Sequence, residues 1–104
     1  MMRERVMPRA GNKPSPVDRD EAEAIALQGL TFLAEDPARM MRFLKLTGIE
    51  PGEVRVRAGT REMLLAVLEH LSADESLLLV FALGRGVAPE GVGRAMALLG
   101  GERA

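Results

Sequence analysis

His70, three serines and two knots of acidic residues are the side chains of this chain with catalytic or metal-binding potential. Their spacing serves neither use. His70 is the single histidine and cysteine is absent, so a zinc site lacks the second nitrogen or sulfur ligand it would need. Ser15, Ser72 and Ser76 sit in no strand-to-helix elbow of the kind that exposes a nucleophile, and the last two read as capping residues around Asp74. Asp18, Asp20, Glu21 and Glu23 cluster, as do Asp74 and Glu75. Both groups fall in first turns of predicted helices, where carboxylates favour the helix dipole. Gly84-Arg85-Gly86 and Gly91-Val92-Gly93 follow no strand, so a dinucleotide-binding turn is not indicated. No enzyme, cofactor, metal or small-molecule substrate is expected.

Arginine offers a second kind of chemistry. Phe43 to Arg55 reads as a helix, a glycine turn at Gly48, an apolar residue after it and a valine six residues on. That spacing resembles a helix-turn-helix, in which the glycine permits the sharp turn and the apolar residues pin the second helix. In that case Arg55, Arg57 and Arg61 would contact phosphate or guanine. Against it, the second helix is about two turns long, with Glu50 and Glu53 at its start. Tyrosine and tryptophan are absent and the three phenylalanines read as core, so stacking on bases is not expected either. Nucleic-acid binding is the second reading, behind contact with protein.

The elements that must position these side chains are helices. From Asp18 onward apolar residues recur at three and four, not at two. Helix 1 is expected over about Asp20–Ala34, with Ala22, Ile25, Ala26, Gly29, Leu30 and Leu33 in one stripe. Helix 2 starts with Asp36 as cap and Pro37 in first position, and ends at Gly48. Helix 3 opens at Pro51 and stops near Gly59. Thr60 caps helix 4, whose stripe is Leu64, Val67, Leu68 and Leu71. Helix 5 runs from Asp74 to about Leu83, and helix 6 from Pro89 to Gly100-Gly101. The fold class is all-α, a single domain of six helices over residues 18–104 behind a flexible basic arm, 1–17.

A shift of 38 residues lays Asp36 on Asp74, Phe43 on Phe81, Gly48 on Gly86 and Pro51 on Pro89. This suggests two tandem three-helix units, 20–58 and 61–96, each covering the other's apolar face. The copies differ on one surface. Arg39, Arg42 and Lys45 form a solvated face on helix 2, where helix 5 has Leu77, Val80 and Leu83. A helix apolar all round from Leu77 to Leu83 is expected at the centre of the domain, or else at a contact between proteins. Met40, Met41, Met63 and Met96 read as gap-fillers in the core, the first two with a second option as an adaptable contact edge.

Charge and composition bound the rest. The 104 residues are 47% hydrophobic and 28% charged, with formal net charge −1. Arg3, Arg5, Arg9 and Lys13 against Glu4 give the arm +3, which leaves −4 for the domain, a balance that repels nucleic acid on average. No apolar run approaches the roughly 20 residues of a membrane span, and no apolar segment follows the charged start as in a secretory signal. A cytoplasmic protein is expected.

Glu21 to Leu27, Phe32-Leu33-Ala34-Glu35-Asp36-Pro37, Arg42 to Gly48 and Asp74-Glu75-Ser76-Leu77-Leu78 resemble a small, mainly alphaproteobacterial family catalogued as a domain of unknown function, DUF3572. The resemblance spans about residues 19–100. It implies a small all-helical cytoplasmic protein and supplies no activity or ligand. The combined expectation is a non-enzymatic helical module that binds a protein partner or itself. Its surface would be Arg39, Met40, Arg42 and Lys45 of helix 2 or Leu77, Leu78, Val80 and Leu83 of helix 5.

Overall fold

The computed structural model describes residues 18–101, which form six α-helices and no strand. They are α1 (Arg19–Ala34), α2 (Pro37–Thr47), α3 (Pro51–Arg57), α4 (Arg61–Ser72), α5 (Glu75–Arg85) and α6 (Pro89–Gly101). The basic arm expected over 1–17 lies outside the described residues.

Short polar side chains set where the helices begin. The carboxylates of Asp18, Asp36 and Asp74 accept hydrogen bonds from the first free amides of α1, α2 and α5, and the Thr60 hydroxyl does so for α4. Each satisfies a donor that the helix itself cannot reach. Between α4 and α5 the cap is Asp74 itself, not the serines on either side of it. Gly48 and Gly86 end α2 and α5 at φ of 78° and 67°, the left-handed conformation that costs glycine little. After each glycine a partly buried apolar residue, Ile49 or Val87, leads into a helix opened by proline.

The core is a trio. α1, α4 and α6 pack on one another, while α2 lies mainly on α1 and α5 mainly on α4. The expected stripes of α1 and α4 are buried residue for residue, joined by Phe32 and Met63. α1 and α4 approach closely at Gly29, where an added Cβ would lie 2.9 Å from Val67 Cγ1 and 3.0 Å from Leu71 Cδ1. All three phenylalanines are buried, and Phe32 meets Phe81 edge-on at 5.4 Å between ring centres.

Two expectations require correction or qualification. α5 is not the central helix. Only Phe81 and Ala82 are buried in it, because α6 occupies the groove alongside α1 and α4. The corners α2–α3 and α5–α6 share their local geometry, yet their second helices pack differently. α6 buries Gly91, Val92, Ala95 and Leu99, whereas α3 buries no residue, so the two halves do not cover each other equivalently.

Candidate interaction surface

The outward side of α5 follows from which of its residues the core takes. Phe81 and Ala82 point inward, and Leu77 and Leu78 are half-buried against the core. At 100° per residue this leaves Ser76, Leu79, Val80 and Leu83 on the opposite arc, at i, i+3, i+4 and i+7. Exposure agrees: Leu79 is 43% exposed, Val80 48% and Leu83 84%. A surface leucine with most of its area in water is ordinary by itself; three large apolar side chains in one stripe form a patch. No charged side chain interrupts it between Glu75 and Arg85. Arg85 turns instead to Glu35 at the end of α1, with Nη2 and Oε1 2.6 Å apart.

α2 presents a different surface. Phe43 is buried and Met40 and Leu44 are half-buried, so Met41, Arg42, Lys45 and Leu46 face outward. Arg42 and Lys45 make no ion pair with any described residue, and Met41 (61% exposed) and Leu46 flank them. Arg39 is on the inner edge of this face. Its guanidinium lies 4.3 Å from the centre of the Phe32 ring, and its Nε is 3.8 Å from the Asp36 carboxylate.

Of the residues expected to make contacts, Arg42, Lys45, Val80 and Leu83 are thus on open surface. Met40, Leu77 and Leu78 are turned toward the core, and Arg39 is stacked on Phe32. Met41 is not a core gap-filler but lies on the contact edge that was its second option, while Leu79 and Leu46 are surface residues the sequence reading did not single out. The signal for Leu79 was available, since placing Phe81 inward fixes the phase of the helix and puts position 79 outside.

The arginines of the helix-turn-helix reading do not share a face. Arg55 and Arg57 are two residues apart on a helix, about 200° around its axis. Arg57 bonds to Glu53 at 3.3 Å within α3. Arg55 is exposed at the rim of a shallow depression of about 390 Å³ between α1 and α3, lined by Leu30, Thr31, Ala34, Pro51, Val54 and Ala58. Arg61 is exposed at the first position of α4.

His70 is half-buried on α4, its ring edge-on to Phe43 with centres 5.2 Å apart. Burial lowers its pKa from the ordinary value, and nearby Arg42 lowers it further; Asp74 opposes both. No group of three or more acidic or histidine side chains able to hold a metal occurs among the described residues, and no polar side chain there is fully buried. Thr31 and Thr47 return their hydroxyl protons to carbonyls one turn back, at 3.1 Å and 2.8 Å. Among the described residues no single helix is long and apolar enough to cross a membrane; α5 and α6 are jointly apolar but bent by 104°. The apolar side chains of α6 are the ones buried against α1 and α4.

The sequence model of one family, described as "Protein of unknown function (DUF3572)", matches residues 19–102. No curated protein and no solved structure matches the chain. The match covers the whole helical domain, and the chain belongs to this family.

Proposed function

We propose that this member of the DUF3572 family is a cytoplasmic, non-enzymatic helical module that acts by binding protein through the outer face of α5. The observation that carries the reading is the uninterrupted stripe of Leu79, Val80 and Leu83. Covering such a stripe is favourable by roughly 25 cal/mol for each Å² removed from water. A helix whose i, i+3, i+4 and i+7 positions are apolar suits a groove or another helix. The cationic edge of α2, Arg42 and Lys45 between Met41 and Leu46, supplies a second surface suited to an acidic partner.

The test is a photo-reactive amino acid at position 83, with position 94 on exposed α6 surface as control, illuminated in cells producing the full chain. Protein adducts at 83 and not at 94 are expected. Equal labelling at both positions, or none at 83, would sink the reading.

DNA recognition is the second reading, favoured by the tight α2–α3 corner and the exposed Arg55. It is weakened by the Glu53–Arg57 pair and by the seven-residue length of α3. Anisotropy of labelled duplex DNA with the full chain decides it. A salt-steep affinity that falls on Arg55→Ala would replace the protein-binding reading.

A further inference from the structure

We propose that the outer face of α5 binds the same face of a second copy of this chain, with the two helices antiparallel about a two-fold axis between Leu79 and Val80. The inference rests on reading α5 as the contact face and names its occupant. The stripe Ser76, Leu79, Val80, Leu83 has the same spacing read from either end, so a two-fold axis at its midpoint superposes it on itself. In a two-fold interface the same patch of both copies meets itself, and this spacing brings Leu83 of one copy over Ser76 of the other.

Side-chain size fits the same axis. Each Leu83, 84% exposed, lies over the partner's Ser76, and large over small is the arrangement in which facing helices interdigitate. Leu79 meets its own copy on one flank of the axis and Val80 meets its own on the other.

Charge selects the antiparallel sense. A parallel pair would bring the two acidic first turns, Asp74 and Glu75, side by side and align the helix dipoles. The antiparallel pair separates the acidic turns to opposite ends and opposes the dipoles. No like charges face each other across the stripe, since Arg85, held by Glu35 of its own chain, falls at the acidic end of its copy. By contrast, the outer face of α2 would set Arg42 and Lys45 against their copies.

Area sets the strength. An 11-residue helix is about 16 Å long. Such a pair buries a few hundred Å² on each side, below the roughly 800 Å² per partner of a standard stable interface. The dimer is therefore reversible and concentration-dependent.

The experiment is sedimentation equilibrium of the full chain across a concentration series, combined with register mapping by oxidation of single cysteines. The chain has no cysteine of its own, so every disulfide reports an introduced pair. The average mass is expected to rise from 11.3 kDa toward twice that value with concentration. Leu83→Glu, at a position with little contact to its own chain, should hold the mass at that of the monomer while leaving the helical circular dichroism unchanged.

Val80→Cys should form a disulfide with its copy, since the two positions are offset by about 1.5 Å along the axis. Ser76→Cys should not pair with itself across an offset of about 10 Å, but should pair with Leu83→Cys when the two variants are mixed. A chain that stays monomeric to its solubility limit overturns the pairing. So does a dimer that ignores Leu83→Glu, or one in which Ser76→Cys links to itself as readily as Val80→Cys. Adducts to a different protein at position 83 would then keep the contact face and remove only the second copy as its occupant.

Discussion

His70 shows how one half-buried side chain makes stability depend on pH. Burial against Phe43 and the charge of Arg42 hold its pKa below the ordinary 6.5, with Asp74 partly opposing them. The unfolded chain takes up the proton first as pH falls, so it binds more protons than the folded chain between the lowered value and 6.5. Stability is thus full above 6.5 and is lost as pH falls through that window. His70→Phe keeps the ring contact and removes the titration. The melting temperature of the wild type relative to this variant should therefore drop as pH is lowered from about 7.5 to about 5, the range in which histidine titrates. A difference that does not vary with pH would refute the assignment. Several other polar residues serve local ends: three aspartates and a threonine cap helices, and Arg39 stacks on Phe32.

Among the elements, α1 and α4 depend on close approach, and α6 depends on filling the groove alongside them. Alanine at Gly29 would gain about 1 kcal/mol of helix propensity. It would also press its Cβ against Val67 and Leu71 at about 3 Å, and overpacking of a tight core costs about 1–3 kcal/mol. At Gly93, in exposed α6 surface, nothing lies within 4 Å of an added Cβ, so the propensity gain stands unopposed. In urea unfolding, Gly93→Ala should raise stability by about 0.5–1 kcal/mol and Gly29→Ala should lower it by about 1 kcal/mol. The contrast within one experiment separates backbone propensity from packing. α5 illustrates the limit of composition: a helix apolar on every side presents one side to water because its neighbours have space for the other only.

At the scale of the whole molecule, burial is concentrated in the trio and thins toward α3. That helix buries no residue, has no side-chain N-cap and holds to the core through half-buried Val54 and the following Ala58. Regions with few buried contacts open locally at lower free energy than the global unfolding. Hydrogen exchange should therefore find the amides of α3 exchanging well before those of the central turns of α1 and α4. Protection of α3 equal to that of α4 would contradict this account. The same unevenness separates the two halves of the chain, whose corner geometry agrees while α6 is sandwiched and α3 is peripheral.

Helix number, helix ends and the inward stripes of α1 and α4 were legible in the sequence, because caps, prolines, left-handed glycines and 3.6-residue periodicity are local properties. Leu79 could have been found by the same means, by fixing the phase of α5 on Phe81. The placement of α5 could not. A helix with no polar residue from Leu77 to Leu83 carries little periodic signal of which side faces inward, and only the competition with α6 for the groove alongside α1 and α4 decided it. The separation of Arg55 from Arg57 is again local geometry, whereas the burial of Met40 beside exposed Met41 depended on where α1 and α4 stand. Local chemistry determined the elements of this protein; the packing of α6 decided which of their faces remained as surface.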